Sequence, residues 1–368
     1  MSLGKYLRFI KEIDWLLLVP VLLLVFLGLA TLYTANLNVE NPDWTVLNKQ
    51  LISFSIGMVS LLALAFFDYR RLASHSLALY VLTILLLAAV LVWGKTIRGT
   101  TGWFSILGFS FQPVELAKLS LIIALASFYS RRRGREKTGG AIFLSVILTL
   151  IPVGLTMLQP DFGSAAILLS IGGAYFIFLS LKPKQIIFLM LIVIVVATMI
   201  WNYVLVDYQK NRILVFLDPA RDPLGRGYNV RQSIIAVGSG QFLGRGLGVG
   251  PQSQLRFLPE TATDFIFATI CEALGFLGGT VILIIFIWLF FRMLNIINKA
   301  RDNLSAYLVF GFLVAFFVQT AINIGMNIGI LPVTGLPLPF VSYGGSFLII
   351  SLSMIGVIES VVRRQRII

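Results

Sequence analysis

Apolar residues in this chain come in long blocks rather than in stripes. Blocks near spanning length fall at 14–35, 47–67, 76–94, 112–130, 140–158, 163–181, 185–206, 265–291, 305–329 and 344–362. Roughly 20 apolar residues carry one helix across a bilayer core. The pattern therefore predicts an all-α, polytopic integral membrane protein with ten transmembrane helices, read as one membrane domain over 1–368. The first block follows Lys5, Arg8 and Lys11. It is too long for a signal-peptide core and reads as a retained first helix. No internal repeat is visible, which counts against the transporter folds built from repeats.

Two segments break the rhythm. Residues 207–264 form a long connection rich in Gly, Pro, Arg and Asp but also in Leu, Ile, Phe and Val. Loops that long are functional or disordered, and this one is too apolar for a tether. It is expected to carry short amphipathic helices packed back on the membrane domain. Residues 329–345 are apolar but interrupted by Pro332, Pro337 and Pro339. Backbone freed by proline at membrane depth must be buried in protein or line a wet cavity, so this stretch is expected to dip into one face and shape a site.

Charge fixes the expected orientation. The net charge is +13, yet only 12% of residues are charged and 58% are hydrophobic. In a soluble domain such a surplus would point to nucleic acid. Here Lys and Arg gather in alternate connections: the N-terminus, Arg70–Arg71, Arg131–Arg133, Lys182 and Lys184, Arg292 to Arg301, and Arg363 to Arg366. These sites suit headgroup lipids, and no nucleic-acid partner is expected. Cation-rich loops stay inside, so both termini are expected on the cytoplasmic side. Ten spans then put 207–264, Trp103, Asp161, Asp264 and the proline-broken stretch on the outer face. The lone Cys271 allows no internal disulfide.

Ionisable groups in or beside a span are expensive and are functional hypotheses by default. Glu115 and Lys118 share a helical face at the start of the fourth span, as a structural ion pair or as a charged wall toward a polar headgroup. Glu272 lies two turns into the eighth span, where a hydrogen bond within the bundle is expected. Asp264 stands where the long loop enters that span, with Glu260 four residues earlier. These acids suit a helix N-terminus and equally a carboxylate acting on an interfacial substrate. The loop carries Arg212, Arg231 and Arg245, the last among the glycines of 238–250. Glycine backbone and arginine forks together suit a diphosphate. No βαβ unit accompanies them, so they are not a dinucleotide fingerprint.

Several motifs spread along the chain are shared with one family. Gly99-Thr100-Thr101-Gly102-Trp103, Gln112-Pro113-Val114-Glu115-Leu116-Ala117-Lys118, Gln159-Pro160-Asp161-Phe162-Gly163-Ser164 and Asp222-Pro223-Leu224-Gly225-Arg226-Gly227-Tyr228 come first. Phe257-Leu258-Pro259-Glu260 through Phe267, Asn323 through Gly329, and Pro332 through Ser346 follow. Along its whole length the chain resembles the SEDS family (shape, elongation, division, sporulation), and Gln252-Ser253-Gln254-Leu255 is similar to its elongation branch.

The resemblance implies ten spans, a large outer loop after the seventh, and residence in the bacterial cytoplasmic membrane. It implies a peptidoglycan glycosyltransferase that polymerises lipid II, a disaccharide-pentapeptide on undecaprenyl diphosphate, for elongation and cell shape. The implied partners are a class B penicillin-binding protein and other elongation-complex proteins. Asp264 and Trp103 match the family's essential aspartate and tryptophan, and Glu115 and Lys118 its charged pair. Asp161, Glu260 and Ser342, in matching motifs, join them as expected substrate contacts. Gly102, Val114 and Ala262 depart from the family's usual Arg, Ser and His, so no obligatory chemistry is expected there.

A sugar hydroxyl must attack an anomeric carbon as the lipid diphosphate leaves. Asp264 fits a general base or a carboxylate organising a divalent cation, Mg or Mn. Arg212, Arg231, Arg245 and Lys118 fit the departing diphosphate. A lipid II flippase and a non-catalytic scaffold for a transpeptidase remain as alternatives.

Overall fold

The computed structural model describes residues 12–35, 43–97, 99–106, 109–132, 138–180, 185, 218, 222, 225–254 and 257–367. Among these, nine helices are long and apolar enough to cross a membrane. Six belong to the first half: α1 (Trp15–Thr34), α2 (Thr45–Phe66), α4 (Ser76–Trp93), α5 (Pro113–Ser130), α6 (Gly139–Leu158) and α7 (Phe162–Tyr175). A π-helical turn extends α7 over Phe176–Ser180, and a short α3 (Tyr69–Ser74) joins α2 to α4. The second half gives α8 (Arg226–Ser239), α9 (Pro251–Gln254), α10 (Ile266–Asn298), α11 (Asn303–Asn327) and α12 (Gly345–Ile367). Each of the nine lies within a few residues of an apolar block, and the protein is an integral membrane protein. The expected seventh span, 185–206, lies outside the described residues apart from Gln185.

One element escaped the all-α expectation. Three short antiparallel strands, β1 (Lys95–Ile97), β2 (Thr100–Ile106) and β3 (Phe109–Phe111), fill the connection between α4 and α5 in the order β1-β2-β3. β1 and β3 have three residues each and the seven of β2 do not alternate apolar with polar, Trp103 standing next to Phe104, so the sequence carries no strand signal there.

Burial sorts the helices into centre and perimeter. Buried residues make up 78% of the spanning window in α5 and 83% in α12, against 28% in α2, α4 and α6. The perimeter helices keep Ile56, Val59, Leu85 and Phe143 exposed, as a lipid-facing surface requires. Polar contacts tie centre to perimeter: Ser60 to Ser353 at 2.7 Å, and Thr83 to Ser120 at 2.7 Å. Such interhelical bonds help association where lipid removes the hydrophobic drive between helices.

The two ends of the bundle differ. Residues 12–14 and 359–364 meet at one end, where carboxylates face arginines: Glu12–Arg363 at 2.7 Å, Asp68–Arg364 at 3.4 Å, Asp14 with Arg292, and Asp302–Arg70 at 3.3 Å. Asp302 also caps α11, accepting from the Ser305 N–H at 2.7 Å. Burial pushes its carboxyl up, but the bonds from Ser305, Tyr69 and Arg70 prevail and hold it below the ordinary 3.8.

The opposite end holds the irregular backbone. Of the 207–264 connection, the described part contains α8 and α9, with α8 packed on α10. The glycines of 238–250 meet a break in α10. Gly275 has φ +66° inside that helix, and Gly244 has φ +84°. The Gly246 N–H bonds Ala273 O at 3.0 Å, and the Phe276 N–H bonds Gln241 O at 2.8 Å. A Cβ on Gly244 would lie 2.2 Å from Ala273 O. Gly250 is held open by Glu272, whose carboxylate would lie 2.3 Å from its added Cβ. Glu272 accepts the Gln252 N–H of α9 at 2.8 Å, a bond to the long connection where the sequence predicts one within the bundle.

Two outcomes follow for the protein in detergent. Gly244→Ala combines a left-handed φ with a backbone clash and is expected to destabilise by more than about 1 kcal/mol. Gly238→Ala meets open space in a helix and is expected to be neutral or to stabilise by up to ~1 kcal/mol. Thermal melts of both variants check this. The depressed Asp302 carboxyl contributes stability above pH 3.8 that is lost as pH falls through and below that value. Melting temperatures at pH 7 and pH 3 should differ less in Asp302→Asn than in the wild type.

Candidate functional site

Asp264 ends a tight turn that feeds α10. The turn is stitched by the Thr263 and Phe265 N–H groups, both bonded to Glu260 O, at 3.1 and 3.2 Å. Glu260 takes a left-handed φ of +57°, and Phe340, across from it in the proline-broken stretch, one of +66°. Non-glycine residues in that region persist only where surrounding structure holds them, and they gather at functional sites. The Glu260 carboxylate accepts from the Thr263 hydroxyl at 3.1 Å.

The proline-broken stretch lies directly against this turn. The Ser342 hydroxyl donates to Thr263 O at 2.6 Å and accepts the Leu338 N–H at 2.8 Å. The Tyr343 N–H bonds Ala262 O at 2.8 Å. From α2, Gln50 donates to Ser342 O at 3.1 Å and accepts the Gly344 N–H at 3.2 Å. A Cβ on Gly335 would lie 3.6 Å from Asp264 Oδ2, so this stretch also borders the carboxylate. Ser342 is fully buried and holds backbone together, whereas Asp264 is half-buried.

The second cluster opens α5. Pro113 at its first turn is well placed, since its missing N–H would have no partner there. One turn on, Lys118 Nζ sits 2.7 Å from Glu115 Oε2, with side chains only 2% and 4% exposed. Lys118 also donates to Gln319 Oε1 at 3.2 Å and lies 5.4 Å from the Phe347 ring centre. Asp161 caps α7 through the Ser164 N–H at 2.9 Å and accepts from Gln112 Nε2 at 3.2 Å. Its charge also acts on Glu115. Trp103 is half-buried on β2, opposite Lys95. Its neighbour Gly102 faces Gln159 Oε1, 3.4 Å from an added Cβ.

Helix α11 joins the clusters. Gln319, Asn323 and Asn327 are spaced four residues apart, so they line one face, and all are buried. Gln319 takes Lys118 on one side and donates to Pro337 O at 3.0 Å on the other. Asn323 donates to Leu336 O at 2.7 Å and to Asp264 O at 3.0 Å. Asp264, Glu260 and Ser342 are thus linked through amides to Glu115, Lys118 and Asp161. Arg231 is exposed on α8, and Arg245 is exposed on the glycine loop with its Nε on Ser239 O at 2.9 Å. Arg212 lies outside the described residues. Asn323 and Asn327 fall inside the 323–329 motif and Gln319 outside it, and the four-residue spacing is the sequence signal that groups the three.

Comparison with known proteins decides the family. The cell cycle protein family of FtsW, RodA and SpoVE matches residues 14–367. The chain belongs to the SEDS family. It is 36% identical over 348 residues to the peptidoglycan glycosyltransferase MrdB of Escherichia coli K12, covering 93% of this chain and 92% of that protein. It is 34% identical over 368 residues to stage V sporulation protein E of Bacillus subtilis, covering 96% and 98%. Among solved structures, a chain of a peptidoglycan synthase complex that coordinates polymerization and crosslinking is similar at TM-score 0.82 and 32% identity, covering 96% and 98%. RodA of Thermus thermophilus is similar at 0.71 and 28%, covering 96% and 97%.

The Glu115–Lys118 pair is buried deeply enough for a sharp test. Glu115→Gln or Lys118→Met alone leaves a charge without its counter-ion, a loss of about 3–5 kcal/mol. The double variant is expected to recover at least half of the summed loss. A double-mutant cycle by thermal or denaturant unfolding in detergent measures it.

Proposed function

We infer that this chain is a peptidoglycan glycosyltransferase, polymerising lipid II into glycan strands for cell elongation and shape. The carrying observation is Asp264: a half-buried carboxylate on backbone fixed by buried amides, two amides, Asn323 and Gln319, away from a buried lysine–glutamate pair. Family membership gives the reaction class, and this geometry supports the role of the acid. The basic terminal end supports cytoplasmic termini, which turns the Asp264 end toward the outer leaflet.

In the reaction, an acceptor sugar hydroxyl forms a bond to the donor's anomeric carbon. The bond from that carbon to the diphosphate oxygen breaks, and its electron pair leaves with the lipid diphosphate. Asp264 takes the hydroxyl proton as general base. Lys118, Arg231 and Arg245, with Arg212, supply positive charge for the leaving group. Trp103, Asp161, Glu260 and Ser342 shape the surrounding wall. Among the described residues no group of three or more His, Cys, Asp or Glu gathers into a metal-ligand set. A Mg or Mn ion held by Asp264 together with the substrate's diphosphate would need no such set, and no step here runs through one. A class B penicillin-binding protein is the proposed partner, supported by the synthase-complex relative.

Purified protein supplied with lipid II in detergent tests the reading. Wild-type chain should form glycan strands, and Asp264→Ala should lower the rate by ~10²–10⁴-fold, the range for a lost general base. Unchanged polymerisation by Asp264→Ala overturns the assignment of the base. A wild type without polymerisation, measured with and without the partner, would return the chain to a flippase or scaffold.

A further inference from the structure

A helix leaves its first N–H groups without acceptors of its own. In α10 the residue before the first turn, Phe265, offers no side-chain cap. The Ala268 N–H, third in the helix, is taken from outside: Asn327 Oδ1 accepts it at 3.0 Å. The same carboxamide returns its Nδ2 to Asp264 O at 3.0 Å. Were the helix one turn longer, Asp264 O and Ala268 N–H would bond each other, residue i to i+4. Asn327 is spliced into that single bond as a planar amide. The helix therefore starts beyond Asp264 and does not wind it in.

Asn323, one turn earlier on α11, steadies the splice. Its Nδ2 reaches the same Asp264 O at 3.0 Å, and its own carbonyl accepts from Asn327 Nδ2 at 2.8 Å. Both asparagines are 0% exposed, so water cannot replace what they supply. From the third side, the Ser233 hydroxyl of α8 donates to Asn327 O at 2.8 Å, pinning the end of α11 to the outer-loop helix.

We propose that Asn327, supported by Asn323, is the positioning residue for Asp264. It sets where α10 begins and hence where the carboxylate points. The inference rests on the glycosyltransferase reading and deepens it. Without the splice, Asp264 O and the Ala268 N–H close on each other, the helix grows backward by a turn, and the carboxylate swings away from the reacting hydroxyl. Both asparagines are enclosed in protein, so their effect on the reaction passes through Asp264.

Three full-length variants test this in detergent with lipid II. Asn327→Leu removes both halves of the splice, and Asn323→Leu removes its support. Asn327→Asp keeps an acceptor for the Ala268 N–H while deleting the donor to Asp264 O. Asn327→Asp puts a carboxylate in the interior and takes a donor from two carbonyls, so its melting temperature should fall, but per folded molecule its KM should stay within about twofold of wild type while kcat falls roughly a hundredfold, as for a reacting group misplaced by about 1 Å. Asn327→Leu and Asn323→Leu should lose kcat in the same order of severity as the hydrogen bonds they delete. A kcat fall smaller than about tenfold in Asn327→Asp, or a loss that merely tracks unfolded protein, overturns the proposal. Hydrogen exchange separates this from a failure of the glycosyltransferase reading. If wild-type protein forms no glycan, that reading fails, and the Ala268 amide still decides the splice. In Asn327→Leu the backward-grown helix should keep the Ala268 amide protected on Asp264 O and newly protect the Phe267 amide, and loss of protection at Ala268 with none gained at Phe267 overturns it.

Discussion

Peptide groups that leave a helix inside an apolar bundle must find hydrogen bonds within the protein. Much of the arrangement around Asp264 follows from that constraint. The proline-broken stretch and the turn at 260–265 bring non-helical backbone together at one end of the bundle. Helix α11 meets the need with Gln319 and Asn323, α2 with Gln50, and the stretch itself with Ser342. Each of these side chains joins a carbonyl or N–H of the irregular backbone to a rigid element. The frame that satisfies the backbone is therefore also the frame that places the acid. Changing one amide strands a buried peptide group and releases the geometry in the same step.

Hydrophobic block length made the nine described spans legible, because a membrane imposes a minimum run that few other structures need. The one large boundary difference is instructive. The eighth block stops at 291, where Arg292 interrupts it, while α10 continues to Asn298. Arg292 stays helical because Asp14 receives its guanidinium from another helix, a partner far away in sequence. The small sheet was illegible for a different reason. β1 and β3 span three residues each, and β2, though seven long, sets Trp103 beside Phe104 and so breaks the alternation that marks a strand.

Within the site, charge was legible and geometry was not. Glu115, Lys118 and Asp264 stand out because ionised groups near a bilayer are rare. The amides that connect them carry no charge, and a buried amide in a span reads equally as packing. The glycines of 238–250 were ambiguous in principle: absence of a Cβ allows an anion to approach, and it allows another backbone to approach. In the described structure Gly244 and Gly250 admit α10, the first its backbone and the second the Glu272 carboxylate.

The two ends of the bundle use different chemistry to hold shape, and the difference bears on how the site can act. At the terminal end carboxylates are matched to arginines, and at Asp302 that match weakens as the carboxyl protonates. Around Asp264 the holding groups are asparagine, glutamine and serine, whose hydrogen bonds do not change with pH. A general base gains a proton and must lose it again in every cycle. If its backbone were fixed by ion pairs, each change of charge on the acid would pull on its own support. Amide dipoles bonded to the Asp264 peptide hold that backbone by bonds that do not titrate. The buried charges, Glu115 and Lys118, are set one amide further away and are matched to each other.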